Sequence, residues 1–228
     1  MIVSIIPENP DHRVLNKAVE FLQQDKVLAI PTDTNWAYAV DLFSKAGMQK
    51  LYTLKNYARA KHFSLLCQDI SQASKYAIIS DQAYRRIHKL LPGPYTFIFP
   101  PKNSLPRTIR DYRKDQQIGV RIPASKICLA LAERLDHPLI LTTIPPTQIL
   151  DLSEEEVAEL SSDEKGGAAA LAFNAYQIEE ALHHQVDLIL DPGEVDFGGS
   201  STVVDFSQEP ARIVRQGQGK IDQILGIF

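Results

Sequence analysis

Polar and basic residues recur at the ends of apolar segments along this chain. Arginine is suited to bidentate contacts with phosphate or carboxylate, and hydroxyls beside glycine-rich turns bind anions through hydrogen bonds. Because ligands of α/β proteins bind in crevices beyond strand ends, residues at such positions are candidates for one pocket. The candidates are Thr32, Thr34, Arg121, Thr143, Ser201 and Arg215, together with Lys55, Arg59 and Lys61 after one predicted helix. This pattern predicts a pocket for an anionic small molecule, such as a nucleotide.

Each candidate also has a simpler explanation. Thr32 and Thr34 can be turn hydroxyls, and Arg121 can be a structural ion-pair partner. The three basic residues can form a solvated helix end. Gly198 and Gly199, which precede Ser201, can serve a tight turn only. The recurrence of such groups in one chain weakens these explanations, but spacing alone does not exclude them.

The elements that would position these residues alternate between strands and helices, which predicts an α/β fold with a mixed sheet. The predicted strands are Val3–Ile6, Val27–Ile30, Ser64–Cys67, Tyr95–Phe99, Ile118–Ile122, Pro138–Thr142, Val186–Leu190, Ser201–Phe206 and Ile213–Arg215. The predicted helices are Val14–Leu22, a helix capped by Ser44, Asp81–Leu91, and a helix capped by Ser125 that runs to Leu135.

One tract differs from the rest. Residues 151–164 contain seven acidic residues and no basic ones. We interpret residues 148–175 as a surface insertion with one acidic amphipathic helix, inside a single domain that spans residues 1–228. A docking arm for a basic partner is the alternative, and a solvated face explains the charges more simply.

Composition excludes several classes of protein. The net charge of −4 lacks the basic excess of a free-standing nucleic-acid binder. Phosphate-binding glycine motifs and metal-ligand spacings are absent, so no metal site is predicted, and Cys67 and Cys128 are expected to be reduced core thiols. Without a signal peptide or a long apolar run, we expect a cytoplasmic protein with no membrane partner. The sequence leaves the oligomeric state open.

Taken in order, several segments resemble the YrdC/YciO family of threonylcarbamoyl-AMP synthase-like proteins. They are AIPTDTNWAYAV, LYTLKNYARAKHFSLL, LPGPYTFIF, IGVRIP, PLILTT, VDLILDPG, and GGSSTVVDF followed by RIVRQG. The resemblance implies a twisted mixed sheet flanked by helices around a concave cavity. It also implies that L-threonine, bicarbonate and ATP with Mg²⁺ are condensed to L-threonylcarbamoyl-AMP and pyrophosphate, for tRNA modification. No tightly bound cofactor is implied, and double-stranded RNA is implied as a further partner.

The resemblance also assigns roles to the candidate residues. On the L-threonine side it places Thr32, Thr34, Arg121 and Ser201, with Arg121 at the carboxylate. On the nucleotide side it places Lys55, Arg59, Lys61, Thr143 and Arg215. From this assignment we expect Arg121→Ala to abolish threonine binding and leave the fold intact.

Two positions depart from the synthase pattern. The expected Lys-x-Arg stands here as Lys55-Asn56-Tyr57, with Arg59 as a candidate replacement, and the expected Ser-x-Asn stands as Thr143-Ile144-Pro145. Both changes fall on the nucleotide side and point toward the YciO branch. Two hypotheses follow: a synthase-like enzyme with weak or altered activity, or a non-catalytic protein that binds RNA or nucleotide in the same cavity.

Overall fold

The apolar segments of the chain form the strands of one sheet. A computed structural model describes residues 1–54, 63–110, 117–162 and 171–220. The strands are β1 (Ile2–Ser4), β2 (Leu28–Pro31), β3 (Trp36–Asp41), β4 (Ser64–Leu66), β5 (Tyr95–Phe99), β6 (Ile118–Arg121), β7 (Leu139–Thr143), β8 (Leu188–Asp191), β9 (Thr202–Asp205) and β10 (Arg212–Arg215). The helices are α1 (His12–Gln23), α2 (Lys45–Leu54), α3 (Ile70–Ser74), α4 (Asp81–Ile87), α5 (Arg107–Arg110), α6 (Lys126–Leu135), α7 (Glu154–Ser162) and α8 (Ala175–Leu182). Short 3₁₀ turns span Pro146–Gln148 and His183–Gln185.

The sheet contains both parallel and antiparallel pairs. Its ten strands lie in the order β1-β8-β2-β3-β7-β4-β6-β5-β9-β10. The pairs β1–β8, β8–β2, β4–β6 and β5–β9 are parallel, and the others are antiparallel. The predicted α/β fold with a mixed sheet is therefore confirmed.

Two apolar cores lie on opposite faces of the sheet. On one face, α1 and α6 pack against strands β2, β3, β7 and β8 and the near end of β4. On the other face, β5 and β6 contribute Phe97 and Val120 to a larger core that includes α2, α4 and α8. Strands β5, β6 and β9 contribute no residue to the first core. That half of the first face is left uncovered by the described helices, so it can form the floor of a cavity.

Local sequence signals account for several of these elements. As predicted, Ser44 caps α2 by accepting from the Gly47 amide at 2.7 Å, and Ser125 caps α6 by accepting from the Cys128 amide at 3.4 Å. Helix α7 confirms the predicted acidic helix. Cys67 and Cys128 are free and buried, as expected of core thiols.

Other sequence predictions need correction. The first strand covers Ile2–Ser4 and not Val3–Ile6, and α4 ends at Ile87 rather than Leu91. The sequence analysis missed β3, α3, α5 and α8. Strand β3 is buried at every position, so it lacks the apolar–polar alternation that marks a half-exposed strand. Helix α8 carried a detectable signal, because Asn174 and Gln177 form a capping box.

No helix in the described ranges combines the length and apolarity that crossing a lipid bilayer requires.

A close backbone approach after β10 fixes the end of the sheet. The Gly217 amide donates to Thr202 Oγ1 at 3.0 Å, and the next amide, of Gln218, donates to the Ser200 carbonyl at 2.9 Å. A Cβ at position 217 would lie 2.2 Å from that carbonyl oxygen. Because the obstacle is backbone, it cannot rotate away as a side chain would.

We therefore expect Gly217→Ala to lower the free energy of unfolding by about 1–3 kcal/mol, the usual cost of overpacking. Chemical denaturation measures this change. Gln216→Ala, at the exposed neighbouring position, is the control and should stay within about 0.5 kcal/mol of the wild type. Equal denaturation midpoints for Gly217→Ala and the wild type would contradict the proposed clash.

Candidate functional site

A cavity of about 340 Å³ lies over the uncovered half of the sheet. Successive side chains along a strand alternate between faces, so the residues that face it are Ser64 of β4, Thr96 and Ile98 of β5, and Gly119 and Arg121 of β6. The described residues that line the cavity are Phe63, Ser64, Thr96, Ile98, Gln117, Gly119, Arg121, Leu141, Thr142, Thr143, Ser201, Val203, Val214 and Arg215. The concave cavity that the resemblance implied is therefore present on this face.

Arg121, at the end of β6, is held in one orientation. Its Nη2 donates to Asp33 Oδ1 at 2.8 Å and to Thr34 Oγ1 at 2.9 Å. The other carboxylate oxygen of Asp33 accepts from the Ala124 amide at 2.9 Å. Arg121 is only 5% exposed, and its Nε is buried without a hydrogen-bond partner among the described residues. Arg121 is thus an ion-pair partner, as the simpler explanation held, and it also lines the cavity with a donor to spare.

The loop between β2 and β3 forms the support behind Arg121. Thr32 Oγ1 donates to the Asn35 carbonyl at 2.6 Å and accepts from the amides of Thr34 and Asn35. Since the Thr32 proton is committed to that carbonyl, the 3.3 Å contact between the two threonine hydroxyls requires Thr34 to donate. Neither threonine lines the cavity. Their predicted contacts with L-threonine are therefore supported only indirectly, because the loop to which they belong holds Arg121 in position.

A second arginine approaches the cavity from β10. Arg215 Nη2 donates to the Ser201 carbonyl at 2.9 Å and to Ser201 Oγ at 3.2 Å, and Nε donates to the same carbonyl at 3.2 Å. Ser201 Oγ also lies 2.8 Å from Thr96 Oγ1. Partial burial lowers the pKa of Arg215 below its ordinary value, and the nearby positive charge of Arg121 lowers it further. The two arginines therefore repel each other across one space, and an anion between them relieves that repulsion.

The segment after β7 forms the rim. Thr143 is exposed and lines the cavity, whereas Pro145 does not line it. Pro145 has no amide proton to donate to a ligand. Gln148, in the turn that follows, accepts from the Tyr38 hydroxyl at 2.9 Å and donates to the Leu54 carbonyl. The start of the predicted insertion is therefore tied to β3 and to the end of α2.

The structure brings together four of the nine predicted site residues as cavity lining: Arg121, Thr143, Ser201 and Arg215. Thr32 and Thr34 lie behind Arg121. Lys55, Arg59 and Lys61 lie outside the described residues, as does Tyr57. The chain enters and leaves that segment at Leu54 and Phe63, and Phe63 lines the cavity.

The sequence analysis missed Asp33, Ser64, Thr96 and Gly119 as parts of this site. Ser64 and Thr96 are polar residues inside otherwise apolar strands, which is the pattern that could have identified them. Gly119 interrupts a buried strand in the same way. Asp33 stood within the threonine-rich turn and carried no separate signal.

The electrostatics of the described lining are one-sided. Two arginines and several hydroxyls face the cavity, and none of the described lining residues is a carboxylate. Within the described ranges, no group of three or more His, Cys, Asp or Glu side chains is arranged to hold a metal ion. The arrangement can bind an anionic ligand through hydrogen-bond donors on both sides.

Comparison with known proteins supports the family resemblance that the sequence suggested. Residues 20–217 match the Sua5/YciO/YrdC family model, whose description is telomere recombination. An uncharacterised protein of Haemophilus influenzae is 34% identical over 215 residues, which cover 94% of each chain. Escherichia coli YciO, also uncharacterised, is 30% identical over 97% of each chain. Its crystal structure superposes with a TM-score of 0.80 and 28% identity over 98% of both chains.

More distant relatives carry a named activity. A threonylcarbamoyl-AMP synthase of Pyrococcus abyssi is 23% identical over 98% of this chain and 59% of its own length. The crystal structure of P. abyssi Sua5 complexed with L-threonine matches with a TM-score of 0.79 and 20% identity, over 100% of this chain and 60% of that one. At that identity the match shows a common fold alone. From the family match and its relatives, the chain belongs to the Sua5/YciO/YrdC family.

Proposed function

We propose that the protein binds L-threonine and ATP in this cavity and condenses them with bicarbonate to L-threonylcarbamoyl-AMP, at a rate lowered by its altered nucleotide side. The observation that supports this proposal is the pair of arginines, Arg121 and Arg215, that line one cavity whose described wall has no carboxylate. One fixed cation suits the carboxylate of an amino acid, and the other suits a phosphate. Relatives named threonylcarbamoyl-AMP synthase, and one complexed with L-threonine, favour these two ligands.

At the amino-acid end, Arg121 is the proposed carboxylate contact. Its guanidinium is fixed by Asp33 and Thr34, so little conformational freedom is lost when a ligand binds. Because Arg121 lines the cavity, the part of its guanidinium that Asp33 and Thr34 leave free can meet a carboxylate there.

At the nucleotide end, Arg215 and Thr143 are the proposed phosphate contacts, as the cavity lining allows. Lys55, Arg59 and Lys61 are proposed on the same side from the family pattern. Transfer of an adenylyl group requires charge neutralisation and alignment of the attacking carbamate oxygen with the α-phosphorus, and no covalent nucleophile. Mg²⁺ would enter with the triphosphate and be held by phosphate oxygens and water, since the described wall offers no carboxylate ligand.

The positions that depart from the synthase pattern determine the reaction rate that we expect. Loss of one preorganised contact to the transition state costs about 10²–10³ in rate. Pro145, with no side-chain donor and no amide proton, supports such a loss. The same change favours a second candidate function, in which the cavity binds nucleotide without catalysis. RNA binding rests on the resemblance and stays a prediction.

The first prediction concerns catalysis. With ATP, Mg²⁺ and bicarbonate, we expect pyrophosphate release that depends on L-threonine and needs a high enzyme concentration to be measured. Arg215→Ala should lower this rate at least about 10²-fold, because it removes a charge-assisted phosphate contact. Arg212→Ala, on the same strand but outside the cavity lining and paired with Asp205, is the matched control and should keep the rate. Pro145→Asn should raise it.

Two outcomes separate the candidate functions. Undetectable pyrophosphate release, together with saturable ATP binding, would leave the non-catalytic function, whereas threonine-independent release would contradict both candidate functions. Absence of both ATP and threonine binding would contradict the proposal as a whole.

The second prediction concerns Arg121. The sequence alone suggested that Arg121→Ala would leave the fold intact, but the buried pair changes this expectation. Removing one partner of a buried ion pair costs about 3–5 kcal/mol, because the other charge stays buried and uncompensated. Arg121→Ala should therefore lose threonine binding in calorimetry and also lower the free energy of unfolding.

A double variant separates the two effects. Arg121→Gln combined with Asp33→Asn removes both charges at similar volume, so most of the stability should return while threonine binding should stay lost. Unchanged threonine affinity in this double variant would show that Arg121 does not hold the carboxylate.

A further inference from the structure

One row of residues crosses the floor of the cavity through four strands. Ser64 of β4 is paired with Leu141 of β7 on one side and with Gly119 of β6 on the other. Gly119 is paired in turn with Ile98 of β5. All four line the cavity, and Ser64 is the polar member of the row.

The Ser64 hydroxyl lies over Gly119. A Cβ placed on Gly119 would be 2.7 Å from Ser64 Oγ and 3.4 Å from the Thr96 methyl group. The missing side chain therefore makes the space that the hydroxyl occupies. A larger residue at position 119 would displace Ser64 from the floor.

Unlike Thr96 and Ser201, Ser64 has no partner inside the described protein. Thr96 and Ser201 are bonded to each other, and Ser201 also accepts from Arg215. Ser64 Oγ makes no hydrogen bond with a described residue. Its donor and its acceptor are both left for a molecule in the cavity.

The register places Ser64 at a defined distance from Arg121. Arg121 is paired with Leu66 and Gly119 is paired with Ser64, so the two side chains are two residues apart along parallel strands. This offset corresponds to roughly 7 Å at the rise of a β-strand. A ligand whose carboxylate meets Arg121 can therefore place a second polar group toward Ser64 on the same floor.

We propose that Ser64 determines specificity by hydrogen bonding to the carbamoyl group of the threonine adduct. This inference rests on the proposed function. In that adduct only the α-carbon and the amino nitrogen separate the carbamoyl group from the carboxylate, so one short ligand can contact both Arg121 and Ser64. The hydroxyl can donate to the carbamoyl oxygen that is not activated.

Calorimetry with two probes tests this assignment. L-Threonine tests the carboxylate contact, and N-carbamoyl-L-threonine, a stable analogue in which an amide replaces the reactive oxygen, tests the added group. Ser64→Ala should weaken N-carbamoyl-L-threonine about five- to tenfold, as expected for one neutral hydrogen bond, and change L-threonine affinity less than about twofold. Ser71→Ala, an exposed serine of α3 outside the cavity lining, is the matched control and should bind both probes as the wild type does.

Each other outcome overturns the assignment in a distinguishable way. Equal affinity of Ser64→Ala and wild type for the carbamoyl probe would remove the role of Ser64 and leave the proposed function standing. An equal loss for both probes would show that Ser64 contacts the amino acid itself. Failure of the wild type to bind either probe would remove the proposed function and this inference with it.

Discussion

The ion pair between Arg121 and Asp33 is the interaction on which the site depends. Both side chains are almost fully withdrawn from solvent, at 6% and 7% exposure. Two charges in such a place lose hydration, so the pair persists only with close geometry and further hydrogen bonds. Thr34 and the Ala124 amide supply those bonds. The polar turn between β2 and β3 therefore has a purpose that its composition alone did not reveal: it holds a cation at a fixed point on the cavity wall.

The sheet explains why that cation faces open space. Helices α1 and α6 cover one half of a face, and the described chain leaves the half made by β5, β6 and β9 without a helix. The opposite face of the same strands is packed with aromatic and aliphatic residues, so the strands stay rigid although one side is open. Arg215 then reaches the cavity from β10, and its lowered pKa reflects both its partial burial and the proximity of Arg121. The positive charge at the cavity wall is thus a property of the whole half-sheet.

The sequence predicted much of this arrangement, and the misses have physical reasons. Alternating and consecutive apolar residues located most strands, and hydroxyl residues before apolar runs located the caps of α2 and α6. Strand β3 was missed although residues 36–40 form a consecutive apolar run like that of β2, which is also buried at every position. Arg121 and Ser201 were identified as polar residues at strand ends, and the family pattern then assigned their roles. Asp33 could not be assigned because its partner lies 88 residues away in the chain. Ser64 was overlooked because the absence of a hydrogen-bond partner among the described residues becomes visible only once its neighbours in the fold are known.

The exposed floor also bears on how proteins of this shape diverge. Ser64 makes no hydrogen bond with a described residue and is only partly buried, so exchanging it for another small residue changes few of the contacts that keep the chain folded. Selection removes mutations that lower stability too far. Mutations at such positions are instead selected mainly for their effect on ligand binding. A lineage could therefore keep one scaffold and its fixed arginine while the small residues beneath the ligand drift toward a new substrate.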